Sequence, residues 1–235
     1  IFDVVLASGV TTNTFNIIQC VGVSSLALVL RIVDNIARVS QFGSGGSALQ
    51  AAWAASKRIE LEYGAAYTIE AGLTATAQNV EIIANNAEIT VGASGDGVGI
   101  RVNGAWEDEQ SVSAITASAI TVADATNYKT GDVVKIINNQ TLSFALASDS
   151  GKQGEFFVVN GVNYSLNQLF IDSPLFLTYT IGTNNTRVAK IVEYKVEISD
   201  LIISYDRSIS EADAEQLIRL EALRNVKVNN VRTRY

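Results

Sequence analysis

Residues 79–90 read NVEIIANNAEIT, and the opening phrase of that stretch comes back twice, as VEISDLII at 196–203 and as NVKVNNVRT at 225–233. The two later copies share Val, any residue, Ile or Val, any residue, Asp or Asn, then Leu or Val, and NVEI at 79–82 echoes it. Alternation of period two sends the β-branched residues to one face of a strand. Asn or Asp then falls where the chain must bend, and side chains stacked from one repeat to the next bridge backbone groups that the bend leaves unpaired. Thirty residues separate Val196 from Val226, but 116 separate Val80 from Val196. A solenoid reading therefore requires a module inserted between the copies; the alternative is a sandwich with coincidental Asn-Val pairs.

Working outward, residues 59–63, 67–70, 80–83, 88–91 and 98–102 alternate as short strands, with turn signals at Gly64, Gly72, Asn85-Asn86 and residues 92–97 (GASGDG). Short strands this evenly spaced, with no helix between them, predict an all-β fold: a sandwich, a barrel or a solenoid. Ahead of them, residues 47–57 (SALQAAWAASK) predict a helix capped by Ser47, with Leu49, Ala52, Trp53 and Ser56 on one face. It is too short to stand alone and needs a partner surface. Residues 43–46 (GSGG) read as a flexible break. Before that break, residues 17–21 and 26–33 read as two buried strands. The combined apolar run carries Gln19, Ser24, Ser25 and Arg31, so it is too short and too polar for a membrane span.

A different texture begins near Ser111. Residues 120–123, 127–137, 154–159, 169–171, 175–180 and 187–192 predict strands, with hairpin-like turns at 152–154, Asn160-Gly161 and 182–185. This is a small antiparallel β-module inserted into, or stacked on, what precedes it. Residues 209–223 suit either a helix capped by Ser210 or a turn followed by another strand, since 217–223 partly alternates.

Composition limits the chemistry. The chain has 235 residues, 48% of them apolar and 17% charged, with one Cys and no His. A chain of this size buries about 70% of its extended surface. The lone Cys20 excludes a disulfide framework, and the missing His excludes Ser-His-Asp triads, Cys-His pairs and histidine-ligated metals within this stretch. No metal or cofactor is expected. The net charge of −7 argues against a nucleic-acid partner. Arg219, Arg224, Lys227, Arg232 and Arg234 cluster near the end and read as one solvated strand face.

Carboxylates are what remain for hydrolysis, which takes two of them across a groove. Glu197 lies between Val196 and Ile198 and reads as a solvated outward position. Asp200 occupies the bend position that Asn229 or Asn230 holds later, and Asp206 follows Tyr205 at a strand end. These last two are the weak catalytic candidates, with turn roles as the plainer reading. Glu211 and Asp213 fall in the helix-compatible stretch. Glu107, Asp108 and Glu109 read as a solvated acidic turn behind Trp106, which is the ligand-stacking candidate, whereas Trp53 reads as core.

Residues 46–57, 59–69 (IELEYGAAYTI) and 79–90 together resemble the opening of bacteriophage tailspikes and related pectate-lyase-like right-handed β-helix proteins. Residues 129–136 (KTGDVVKI), 187–191 (RVAKI) and 196–201 (VEISDL) resemble the β-module that many tailspikes carry ahead of the main helix. The prolines expected in the turn at 62–67 (EYGAAY) are missing, and Gly45-Gly46-Ser47 stands where the family has Asp-Asp-Thr. The resemblance implies a mainly β fold: the start of a right-handed parallel β-helix, a capping α-helix and an inserted antiparallel β-module. Its expected divisions are an attachment or neck-like region at 1–42, cap and first coils at 43–110, the module at 111–194, and further coils at 195–235 with the chain continuing beyond. It implies a homotrimer on the virion tail, extracellular, held to other tail or baseplate proteins and binding host surface polysaccharide. It also implies that any depolymerase site lies downstream of Tyr235. The alternatives are a secreted polysaccharide lyase or glycosidase of the same fold, and a bacterial β-solenoid adhesin.

Overall fold

The structure, a computed structural model, describes residues 2–6, 17–19, 26–30, 32–92, 98–141, 152–182, 184–206 and 216–234. Its chain gathers into two compact units, one made of Ile1–Gly104 with Tyr194–Tyr235 and the other of Ala105–Glu193.

The first unit begins with β1 (Phe2–Leu6), β2 (Ile17–Gln19) and β3 (Leu26–Leu30), an antiparallel sheet with β3 in the middle. Strand β4 (Ala37–Arg38) and a 3-10 turn (Val39–Phe42) lead into helix α1 (Gly45–Ala55). There follow β5 (Arg58–Glu60), β6 (Ala66–Ile69), β7 (Leu73–Thr76), β8 (Val80–Ile83), β9 (Glu88–Val91) and β10 (Val98–Asn103). After the second unit, described below, the chain returns to sheets of the first.

The second unit is a closed antiparallel barrel. Its strands are β11 (Trp106–Ile115), β12 (Ala119–Val122), β13 (Val133–Thr141), β14 (Lys152–Asn163), β15 (Gln168–Ile171) and β16 (Arg187–Ile191), in the spatial order β11-β12-β15-β14-β13-β16. Alternate residues such as Ile120, Val122, Val134, Ile136, Phe157, Val159, Leu169 and Val188 fill it. Closure pairs every strand on both sides and leaves no edge.

The first unit resumes with β17 (Val196–Ser199), β18 (Ile202–Tyr205), β19 (Gln216–Glu221), β20 (Val226–Asn229) and β21 (Arg232–Arg234). Three parallel sheets result: β4-β5-β8-β17-β20, β6-β9-β18-β21 and β7-β10-β19. The chain visits them in the same order on each circuit, so residues one circuit apart are neighbours in a sheet. The repeated phrase is this register. Val80 pairs with Val196 and Val196 with Val226; Ile82 pairs with Ile198 and Ile198 with Val228. Between β8 and β9, and between β17 and β18, the bend residues Asn85, Asn86 and Asp200 take positive φ, as do Asn225 and Asn230 farther along. Asn and Asp tolerate that conformation better than other non-glycine residues. The N–H of Asn86 donates to the carbonyl of Asp200 at 2.7 Å, and that of Asp200 to the carbonyl of Asn229 at 3.0 Å. Bends thus stack on bends as strands stack on strands.

Helix α1 covers the core with Ala48, Leu49, Ala52 and Trp53, and the Trp53 indole N–H donates to the Thr74 carbonyl at 2.9 Å. Its start differs from the reading that made Ser47 the cap: the N-cap position is Ser44, and the helix begins at Gly45. Residues 43–46 are not a slack break either. Gly46 lies on the sheet, where an added Cβ would fall 1.7 Å from the Thr68 carbonyl oxygen. Ala37, Val39 and Phe42 belong to the same buried cluster as the helix.

The barrel corrects the sequence reading at several points. Asn160-Gly161 is no hairpin turn. Strand β14 pairs with β13 through its first half and β15 through its second, and the extra residue at Asn160 bulges the strand so that it can do both. The true turn is residues 164–167, where the Asn163 side chain accepts from the Leu166 N–H and Asn167 takes positive φ. Residues 152–154, expected to turn, open β14. Residues 175–180 form no strand: the Glu155 carboxylate takes the N–H groups of Phe176 and Leu177, holding the segment off the ladder. Leu175, Tyr179 and Ile181 pack against the barrel core instead. The acidic stretch 107–109 is strand, not turn. In the first unit, β7 is a strand that the sequence does not announce, residues 216–221 are strand rather than helix, and residues 93–97 and 207–215, with Glu211 and Asp213, lie outside the described residues.

Candidate functional site

Trp106 opens β11 and is half-buried. Its ring faces that of Phe156 at 5.9 Å with a tilt of 34°. Lys135, register partner of Phe156 on the neighbouring strand, puts its ammonium 5.5 Å from the Trp106 ring and 5.4 Å from the Phe156 ring. Gly154 leaves room for the lysine stem, whose Cε would lie 3.1 Å from a Cβ at that position. Lys135 forms no ion pair among the described residues, so its charge rests on the ring faces, an arrangement worth about 0.5–1 kcal/mol at exposed sites. Phe156 is 56% exposed. An aromatic pair beside an unneutralised cation can stack the C–H face of a sugar ring and attract a negative substituent on it. The alternation of GEFFVV and DVVKII held the signal for Phe156 and Lys135, but only the barrel register brings them to Trp106.

Behind Trp106 a bulge turns the acidic residues to different tasks, with Asp108 at positive φ. Lys190 reaches Glu107 at 3.2 Å, Asp108 at 3.0 Å and Asp132 at 4.0 Å, and Arg187 pairs with Glu109 at 2.7 Å. Burial opposes the charge on Lys190, yet its bonds to Asp108 and Glu107 and the nearby Asp132 charge outweigh it and raise its pKa. Tyr128 donates to the Asp108 carbonyl. Burial first, then the Asp108, Asp132 and Glu109 charges, push the phenol far up, so it stays protonated. The arrangement neutralises charge at the barrel wall, and among the described residues no cluster of carboxylates is suited to a metal ion.

The two weak catalytic candidates flank β18. Asp200 sits in the bend before it and accepts from the Asn230 amide at 2.7 Å. Asp206 follows it, half-buried, its N–H donating to the Val91 carbonyl at 2.8 Å. Six residue steps separate them, four of the intervening residues being strand β18, and at about 3.3 Å per extended residue this holds the two on the order of 15–20 Å apart. Paired glycosidase carboxylates stand about 5–9.5 Å apart, so these two do not form such a pair with each other. Glu197 is held by Lys195 at 3.0 Å and Lys227 at 2.8 Å, and bonds to these two lysines lower its pKa. The C-terminal basic residues are spread over β19, β20, β21 and a bend rather than on one face, and Arg219, Lys227 and Arg234 are paired with Glu221, Glu197 and Glu88.

No protein-family model matches this sequence, and no curated protein matches it. Among solved structures the likeness is to bacteriophage tailspikes. The tailspike gp49 of Pseudomonas phage LKA1 aligns with a TM-score of 0.56 and 25% identity over 68% of this chain and 27% of its own. The gp54 tailspike of Acinetobacter baumannii bacteriophage AP22, solved in complex with A. baumannii capsular saccharide, gives 0.61 and 14% over 85% of this chain and 35% of its own. The tailspike gp61 of Pseudomonas phage phi297 gives 0.61 and 18% over 86% and 39%. At 14% and 18% the likeness is one of fold. The chain spans roughly a quarter to two-fifths of these tailspikes.

Proposed function

We propose that this chain is the N-terminal portion of a phage tailspike, a receptor-binding protein mounted on the virion tail that engages host surface polysaccharide. On this reading the three parallel sheets are the first coils of a right-handed parallel β-helix, α1 is its cap, and the antiparallel barrel is a module inserted between the second and third coils. The observation that carries it is the stacking of each circuit on the last, interrupted by the barrel without loss of register, and the likeness of fold to the tailspikes above supports it. Val226 and Val228 hold the register of the fully buried Val196 and Ile198 and are 41% and 45% exposed. Residues 1–42 would serve attachment. The spike would be a homotrimer, outside the cell, and no helix among the described residues is long and apolar enough to cross a membrane. Trp106, with Lys135 and Phe156, is the barrel's saccharide-contact candidate; Asp200 and Asp206 remain turn residues first.

Light scattering of the native protein against its denatured chain mass tests the reading. A ratio of three supports the spike. A ratio of one sinks the trimer and moves the assignment to a secreted carbohydrate-active enzyme.

A further inference from the structure

We propose that the bend joining β5 to β6 carries a saccharide subsite of its own, selective for sugars without negative charge; this rests on the polysaccharide-binding reading above. A cleft of about 340 Å³ opens there, lined by Arg38, Ser40, Glu60, Glu62, Tyr63 and Asn85. That volume falls within the range of small-ligand sites, about 300–1,000 Å³. Tyr63 is 82% exposed, so its ring presents a large apolar face to solvent.

The backbone beneath that ring is fixed. The N–H of Ala65 donates to the Glu62 carbonyl at 3.2 Å, closing a turn that Gly64 completes at φ +64°. The N–H of Gly64 donates to the Asn85 carbonyl at 3.2 Å, the Asn85 amide to the Leu61 carbonyl at 2.8 Å, and the N–H of Leu61 to the Ile83 carbonyl at 2.9 Å. The bend is thus sewn to the bend of the next circuit, and little ordering remains for a ligand to induce.

The polar groups offer both kinds of hydrogen bond. Arg38 forms an ion pair with Glu60, its Nε 2.9 Å from the carboxylate, and among the described residues its two terminal nitrogens donate to no other group. Among the described residues the Glu62 carboxylate makes no ion pair, and the Asn85 amide oxygen accepts no hydrogen bond. An aromatic face flanked by an acceptor carboxylate and a guanidinium donor is the recognition set for a pyranose, whose hydroxyls both donate and accept while its C–H face stacks. Two carboxylates against one guanidinium leave the cleft with one net negative charge, which repels a uronic acid. Its preference is therefore opposite to that of the Lys135 patch.

Saturation-transfer NMR on the 235-residue chain tests this with methyl glucoside, methyl glucosaminide and methyl glucuronide as probes. The glucoside and glucosaminide should bind at least fivefold more tightly than the glucuronide. Tyr63→Ala should weaken glucoside binding at least tenfold with an unchanged thermal midpoint. Glu62→Gln should keep the fold and erase most of the discrimination against glucuronide, which a merely structural role would not do. Glucoside binding that survives Tyr63→Ala, or glucuronide bound as tightly as glucoside, overturns the subsite. If Trp106→Ala removes that binding instead, the subsite falls while the polysaccharide-binding reading stands. If the wild-type chain binds none of the three probes, the subsite falls too, and the mass ratio of the native protein then judges the broader reading separately.

Discussion

Truncating one rung of the central ladder at three heights should yield a graded loss of stability. Ile82, Ile198 and Val228 are consecutive register partners on β8, β17 and β20, with exposures of 0%, 0% and 45%. A fully buried Ile→Ala change costs about 2–5 kcal/mol, the transfer term plus the cavity left behind. Ile82 and Ile198 are gripped on both sides in the stack, so Ile82→Ala and Ile198→Ala should each cost about 3–4 kcal/mol. Val228→Ala removes two methyl equivalents, about 1.6 kcal/mol if fully buried at about 0.8 each. Nearly half of that surface is already in water, so the expected loss is about 1 kcal/mol or less. Urea unfolding in a Trp106→Phe background reads the first unit alone, because Trp53 is then the only tryptophan left. If Val228→Ala cost as much as Ile198→Ala, or Ile198→Ala less than about 1 kcal/mol, the stacked register would be wrong.

Gly46→Ala should cost several times more than Gly45→Asn in thermal unfolding. The first drives a Cβ to 1.7 Å from the Thr68 carbonyl oxygen, whereas Gly45, at φ +74°, has nothing within 4 Å and suits Asn. Lys190→Met should destabilise the barrel by about 1–3 kcal/mol, the worth of its charged hydrogen bonds, read by urea unfolding followed at Trp106. Lys190 and Tyr128 both have pKa values raised above their ordinary 10.5 and 10.0. The stability they contribute is therefore whole below about pH 10 and lost as pH climbs through the folded values; Tyr128→Phe should flatten that alkaline limb. For Glu197 the sign reverses: its pKa is lowered from 4.5, so its contribution is present above that value and lost as pH falls through the folded one. Asp200→Asn should be near neutral, keeping the bond to Asn230, while Asp200→Val should cost about 1–2 kcal/mol for the positive φ, by chemical denaturation.

The strands of the first unit were legible where the side chains alternate cleanly, as in VEII and EITV, and the bends were legible because Asn and Asp mark them. β7 was not, since LTAT carries small residues whose burial only the neighbouring strands decide. In the barrel the sequence misleads where local chemistry yields to closure. Asn160-Gly161 has the composition of a hairpin, yet a twelve-residue strand that must pair with two partners uses it as a bulge. The acidic residues after Trp106 read as solvated because nothing nearby in sequence neutralises them. Their counter-ions, Lys190 and Arg187, arrive from a strand some eighty residues away. The same applies to the Tyr63 cleft: Arg38 and Asn85 lie more than twenty residues to either side and meet it only through stacking.

An insertion the size of a domain leaves the register of the circuits intact for a reason visible at its two ends. Trp106 pairs with Ile191 across β11 and β16, and the Val192 N–H donates to the Ala105 carbonyl at 3.0 Å. The barrel therefore enters and leaves at adjacent points, and its folding closes its own loop; an unfolded insertion of that length would charge the host the closure entropy instead. On the host side both ends are tied down. The N–H of Gly104 donates to the Glu221 carbonyl at 2.7 Å, and Gly104 lacks the Cβ that would strike the Ala222 carbonyl oxygen at 1.7 Å. The N–H of Lys195 donates to the Asn79 side chain at 2.8 Å and that of Val80 to the Lys195 carbonyl at 2.9 Å, so the returning chain is locked one residue before β17 begins. Asn79, the first letter of the repeated phrase, is therefore a splice residue: it fixes where the chain re-enters the stack, and Val196 falls onto Val80 as a consequence.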